Sequence, residues 1–170
     1  MNSLSSQIEE LILQHDHRGM AQLKHNLRPG YCRRSAELLL DNKGMVLIGT
    51  GFPVSGSFES DGPIGAIALY HILTYLGYQP IFVCAPPISK TMARGFLTYE
   101  MPISDWKQSR AFVKKAVKAL DPALIVSVER PGVAADGRYY NMHRDDITHL
   151  VAKYDLFFEN GNCPRIAFGD

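Results

Sequence analysis

The feature that most constrains the fold is a short apolar run, Met45 to Ile48, that opens directly into the glycine-rich stretch Gly49-Thr50-Gly51-Phe52-Pro53-Val54-Ser55-Gly56. Four apolar residues without polar alternation suit a strand covered on both faces, and parallel strands are the ones so covered. Beyond the loop, Asp61 is placed to cap a helix with Pro63 in its first turn. Ile64, Ile67, Ala68, Ile72 and Leu76 then form an apolar stripe that ends at Gly77. A strand, a loop and a helix in this order require a further strand, and Pro80 to Cys84 supplies it.

The same reading extends along the chain. Leu4 to Gln14 has helical spacing, with Ser5 or Ser6 as its cap, and Tyr31 to Leu40 is a second helix between Pro29-Gly30 and Asn42-Lys43-Gly44. Asp105 to Leu120 is amphipathic, and Leu124 to Val128 is a strand rich in β-branched residues. Asp146 to Lys153 reads as a helix, and Asp155 to Phe158 and Arg165 to Phe168 read as strands. Strands alternating with helices predict an α/β fold: a mostly parallel, Rossmann-like doubly wound sheet with helices on both faces, whose ligands sit beyond the carboxyl ends of the strands. At 170 residues, 46% of them apolar, the chain is expected to form one domain over residues 1–170.

Charge narrows the partners. A net charge of +1 gives no global attraction to nucleic acid or to an anionic membrane, so a small anionic substrate must be held locally. Cys32, Cys84 and Cys163 are odd in number and lack CxxC spacing, which favours free thiols in a reducing compartment. No stretch approaches the roughly 18 apolar residues of a membrane span. The N-terminus lacks the apolar core of a signal peptide, so a cytoplasmic protein is expected.

Candidate chemistry gathers in loops. The stretch Gly49 to Gly62 carries Thr50, Gly51, Ser55 and Gly56 toward a helix N-terminus, where backbone N–H groups can approach an anion. It matches neither GxxxxGK[ST] nor GxGxxG, and a plain connection rich in turn formers is the alternative. Glu59 and Asp61 offer two carboxylates near the strand-to-helix turn, Asp61 with the competing role of cap. Glu129-Arg130-Pro131-Gly132 comes directly after a strand, which places a carboxylate and a guanidinium at the crevice of an α/β sheet.

The segment from Glu129 to Asp145 is long for a compact domain, and Asp136, Arg138, Tyr140 and Asn141 crowd hydrogen-bonding groups that need a ligand or a network. Asp145-Asp146 most simply cap the helix expected up to Lys153. Exposure of Tyr139 and Tyr140 would mark an interface or, equally, a pocket, and on the first reading a homo-oligomer is an expectation. Among the histidines, only His143 adjoins this polar loop, and no HExxH or GxSxG motif occurs.

Read together, Asp16-His17-Arg18-Gly19, Thr50-Gly51-Phe52, Glu59-Ser60-Asp61-Gly62-Pro63-Ile64-Gly65-Ala66, Val128-Glu129-Arg130-Pro131-Gly132, Asp136-Gly137-Arg138-Tyr139-Tyr140-Asn141-Met142 and Gly169-Asp170 resemble the D-glutamate cyclase-like C-terminal domain family. The resemblance runs from about Asp16 onward. It implies an α/β fold and, for the enzyme that gives the family its name, conversion of D-glutamate to 5-oxo-D-proline with loss of water. In the family the Gly-Asp pair is followed by a further glycine-rich loop with an Asn-Glu, whereas this sequence stops at Asp170, so the resemblance implies a domain incomplete at its C-terminus.

For such a lyase the amine attacks its own side-chain carboxyl, so a site must neutralise that carboxylate and accept the amine's proton. Arg130 and Arg138 are assigned to carboxylate binding, Glu129 or Asp61 to proton transfer, and the Gly49 to Gly56 loop to the developing oxyanion. The alternative is a phosphatase dependent on Mg²⁺ or Mn²⁺. Its ligands would be Glu59, Asp61, Glu129 and Asp170, with Asp136 a further carboxylate nearby. No organic cofactor is expected in either case, and a non-catalytic domain that binds a small ligand is the third reading.

Overall fold

The computed structural model describes residues 3–14, 16, 19–54 and 56–169. They form two compact units, one up to Asn42 and one from Lys43 to Gly169.

The first unit holds three helices, α1 (Leu4–Ile12), α2 (Met20–Leu23) and α3 (Tyr31–Asp41). The cap of α1 is Ser3, whose hydroxyl accepts from the Ser6 N–H, two or three residues earlier than the expected Ser5 or Ser6. Glu9 on α1 is buried, and its carboxylate accepts the Cys32 N–H at 2.9 Å, satisfying a donor in the first turn of α3. Asp16 does the same for α2, accepting from Met20 and Ala21, each at 2.8 Å.

The second unit is built on β1 (Met45–Thr50), a small hairpin of β2 (Pro53–Val54) and β3 (Ser57–Phe58), α4 (Asp61–Tyr75) and β4 (Gln79–Cys84). Next come α5 (Ile88–Met92), β5 (Thr98–Glu100), α6 (Trp106–Leu120), β6 (Leu124–Val128), α7 (Asp155–Asn160) and β7 (Arg165–Phe168). The five larger strands lie in the order β5-β4-β1-β6-β7 and all pair in parallel. The chain therefore winds outward from β1 through β4 to β5, then returns to the other side of β1 for β6 and β7. The reversal falls between β1 and β6, where Thr50 and Val128 are register partners at the carboxyl ends.

Burial explains the sequence of the central strands. On one face Leu47, Ile81, Val83 and Ile125 pack with Val113 and Ala116 of α6 and Leu156 and Phe157 of α7. On the other, α4 packs on β1, β4 and β6 and turns Ala66 and Leu73 inward. A strand sandwiched in this way has no solvent face, hence the unbroken apolar run. Asp105 caps α6 by accepting from the Gln108 N–H at 2.8 Å. No helix among the described residues is long and apolar enough to cross a membrane.

Three local expectations are corrected. Residues 146–153 are not an α-helix but contain only a 3₁₀ turn at Thr148–Leu150, and 155–158 is not a strand but the start of α7. The i, i+3, i+4 spacing of Tyr154, Phe157 and Phe158 puts their rings in one cluster, an arrangement only a helical turn allows. The loop before α4 is not open throughout: the β2–β3 hairpin occupies its middle, closed by the Glu59 N–H donating to the Phe52 carbonyl.

Candidate functional site at the switch point

Arg130 organises the carboxyl ends of β1 and β6. Its guanidinium donates through Nη1 to the Thr50 carbonyl and through Nη2 to the Ala152 carbonyl, each at 3.0 Å. It lies over the Tyr154 ring, 4.9 Å from the centroid. Burial pushes its pKa down, opposed by the neighbouring Tyr154, Cys84, Asp155 and Tyr139 side chains. Among the described residues, no carboxylate oxygen lies within the 4.0 Å of an ion pair with it.

Tyr154 is fixed in turn. Its hydroxyl is 2.9 Å from the Val126 carbonyl and 3.2 Å from the Leu47 carbonyl, and burial raises its pKa strongly, so it remains a donor. The ring occupies the space a side chain at Gly49 would fill: a Cβ there would come within 2.4 Å of the Tyr154 Cζ. Gly49 is thus a strand residue that admits an aromatic ring, not part of an anion-binding loop.

On the α4 side, Gly62 performs a similar service. A Cβ at Gly62 would fall 2.5 Å from the Glu129 Cβ and 3.3 Å from the Thr50 Oγ1. Glu129 has φ +45°, a conformation that costs a non-glycine residue roughly 1–3 kcal/mol and concentrates at functional sites. Thr50 is fully buried, and its Oγ1 has no hydrogen-bond partner. A buried hydroxyl without a partner is uncommon and calls for a ligand or a water.

The helix terminus itself is less open to an anion than the sequence implies. The cap position belongs to Ser60, which makes no side-chain cap bond, while Asp61 is the first helical residue and its Oδ1 accepts the Gly62 N–H at 2.9 Å. Pro63 has no N–H to offer.

Two clefts flank Arg130. The first, with about 320 Å³ of empty space open to solvent, is bordered by Thr50, Gly51, Ser57, Pro87 and Ile88. The second, about 790 Å³ on the same measure, is bordered by Gly132, Tyr154, Asp155, Phe158 and Phe168. Asp155 was not singled out in the sequence. Its Oδ2 accepts from the Tyr139 hydroxyl at 2.6 Å and its Oδ1 from the Val133 N–H at 3.3 Å. Tyr139 is fully buried and stacked on Trp106, with Lys153 Nζ 5.6 Å from its ring.

Lys153, 4% exposed, donates to the Thr148 and Val151 carbonyls, and burial pushes its pKa down. The segment from Val151 to Asp155 is thereby tied down at each residue. The available signal was the polar triplet Lys153-Tyr154-Asp155 inside an apolar run.

The remaining expected residues fall into other places. Gly56 lies exposed at the hairpin turn, and Ser55 and Asp170 lie outside the described residues. Asp136, Arg138, Tyr140 and Asn141 do not border either cleft beside Arg130. Asp136 accepts from the Tyr140 hydroxyl at 2.6 Å and the Arg138 N–H at 3.0 Å. Arg138 pairs with Asp146 at 3.2 Å, and Asn141 bonds Asp145. These groups bond one another and Asp145 and Asp146 within the loop. The Tyr140 bond first, then the Arg138 N–H, holds the Asp136 carboxyl below its usual range.

Asp146 accepts from the N–H of Thr148, the first residue of the 3₁₀ turn, whose cap position is Ile147. Tyr139 is buried and cannot mark an interface by exposure. Glu59 is exposed, and among the described residues no group of three or more His, Cys, Asp or Glu side chains is disposed to hold a metal ion.

Cys84 at the end of β4 offers a test of this packing. Burial pushes its thiol up to about 12, with Arg130 opposing and Glu100 adding to the shift. Only about one thiol in ten thousand is then ionised at pH 8. In the native protein, iodoacetamide at pH 8 is expected to label Cys32 and Cys163 well before Cys84, read by mass spectrometry. Comparable labelling of Cys84 would mean that the end of β4 opens. Because the folded pKa is raised, the stability it confers is present below the unfolded value near 9 and declines as pH rises toward about 12.

A parallel doubly wound sheet with a cationic side chain and an unpartnered hydroxyl at its switch point defines a Rossmann-like α/β domain with its candidate site at the crevice beyond the strand ends. The chain matches the family model described as D-glutamate cyclase-like, C-terminal, over residues 8–170, and belongs to that family. It is 32% identical over 152 residues to a human protein named D-glutamate cyclase, mitochondrial; the match covers 78% of this chain and 25% of that relative. The chain therefore spans about a quarter of the relative's length.

Proposed function

We propose that this domain takes D-glutamate as substrate and closes it to 5-oxo-D-proline with loss of water. One observation carries the reading: Arg130 is a guanidinium oriented by two carbonyls and a ring, without a carboxylate partner among the described residues, between two clefts at the switch point. A γ-carboxylate is a poor electrophile because attack concentrates negative charge on its oxygens. A pre-oriented cation in a place of restricted water lowers that cost most where the charge grows.

Three of the five N–H donors of Arg130 remain for a substrate. The Thr50 hydroxyl supplies a neutral donor on the first cleft. Glu129, packed against Gly62 beside Thr50, is assigned to proton transfer, delivering a proton to the oxygen that departs as water. Arg138, expected to share the carboxylate, is paired with Asp146 and borders neither cleft, so the reading rests on Arg130.

The test is direct: the purified chain is incubated with D-glutamate and lactam is measured by proton NMR against a Glu129→Gln variant. Lactam above the uncatalysed rate, reduced about 100-fold in the variant, is the expected result. A folded protein that forms no lactam would sink the reading and leave a ligand-binding domain.

A further inference from the structure

Arg130 and Asp155 border the same cleft and make no ion pair with each other. Each is oriented by other groups: Arg130 by the Thr50 and Ala152 carbonyls and the Tyr154 ring, Asp155 by the Tyr139 hydroxyl and the Val133 N–H. Two opposite charges held apart in one cleft complement a ligand that carries both signs at a short separation. Asp155 is only half-buried and retains acceptor capacity, since a carboxylate offers about four lone-pair sites and two bonds are made.

Resting on the cyclase reading above, we propose that Asp155 receives the ammonium group of a zwitterionic amino acid whose side-chain carboxylate lies on Arg130, and takes the proton that must leave before the amine can attack. Tyr139 is a positioning residue for Asp155.

The arrangement accounts for the geometry of closure. An amino acid gripped at its ammonium and at its side-chain carboxylate from within one cleft is bent so that nitrogen approaches the carboxyl carbon, and the entropy of bending is met in binding. The N–C bond forms as one ammonium proton passes to Asp155. The C–O bond of one carboxylate oxygen breaks, and that oxygen leaves as water with two protons, one delivered by Glu129 and one from the nitrogen. The proton held by Asp155 then restores Glu129, so the water accounts for two of the three ammonium protons. The ligand's net charge of −1 is the same before and after, and no oxidant or second substrate is consumed.

Tyr139 suits its part. Its phenol pKa is raised, first by burial and then by the bond to Asp155, so the hydroxyl stays a donor over the working pH range.

Calorimetric titration tests the subsite with two ligand pairs that differ only by the amine: D-glutamate against glutarate, and D-alanine against propionate. The native chain is expected to bind the amine-bearing member of at least the glutarate pair more than about tenfold tighter. In Asp155→Asn that preference should shrink to within about threefold while glutarate affinity is retained, and Tyr139→Phe should lose part of it. A merely structural role for Tyr139 would lower the melting temperature and leave the preference alone.

Equal binding of D-glutamate and glutarate by the native chain overturns the proposal without any variant, as does an Asp155→Asn protein that still prefers the amine. An amine preference carried by Asp155 in a protein that forms no lactam would leave the subsite standing and remove the cyclase reading. Binding of none of the four ligands would remove both.

Discussion

Arg130→Ala is expected to lower lactam formation by about 10³-fold, a loss of the size seen when one pre-oriented donor is taken from a developing oxyanion. The loss should appear in kcat as well as in kcat/KM, because the interaction strengthens as charge accumulates on the carboxylate. Arg130→Lys is expected to recover only about tenfold of it. A lysine restores the charge but, as a compact point donor, cannot bridge the Thr50 and Ala152 carbonyls and still present a fork to a carboxylate.

Stability should move less than activity. Truncation leaves two carbonyls without donors, at about 1–3 kcal/mol each where water cannot reach, but it also removes a cation whose burial is unfavourable. Steady-state kinetics and urea denaturation on the same samples separate the two effects. Turnover unchanged in a folded Arg130→Ala protein would remove Arg130 from the mechanism.

Gly49→Ala is expected to destabilise the fold by about 3 kcal/mol or more, near the upper end for an added methyl in a packed core. The new Cβ would stand 2.4, 2.7 and 2.6 Å from the Cζ, Cε2 and Cε1 of Tyr154. The ring has no easy retreat: it is 2% exposed, its hydroxyl bonds the Val126 and Leu47 carbonyls, and Arg130 covers one face. Denaturation of Gly49→Ala, Tyr154→Leu and the double variant completes a cycle. The prediction is that the double variant is much less destabilised than the sum of the two singles. Additive losses would show that the clash is relieved elsewhere.

Such a test bears on how much the sequence reveals. Met45 to Ile48 and Leu124 to Val128 are legible as buried strands because a strand covered on both faces tolerates no polar residue. Asp105 is legible as a cap because a carboxylate before an amphipathic run satisfies helix donors. The first glycine of Gly49-Thr50-Gly51 is ambiguous by contrast. Glycine serves an anion, a turn or a close aromatic contact equally well, and here the contact is with the ring of Tyr154, far along the chain.

What the sequence by itself determined is the alternation of buried strands and amphipathic helices, the family, and the placing of Glu129-Arg130 and Thr50-Gly51 at strand ends. These come from periodicities and motifs that are local along the chain. Only the tertiary structure decided that Arg130 turns inward onto main-chain carbonyls, that Asp136, Arg138, Tyr140 and Asn141 bond within a loop rather than line the clefts beside Arg130, and that Asp155, at the start of a helical turn and held by Tyr139, borders the same cleft as Arg130. The reason is physical. A side chain's charge and hydrogen-bonding capacity are written in its identity, but which groups satisfy them depends on partners that the chain brings together only by folding.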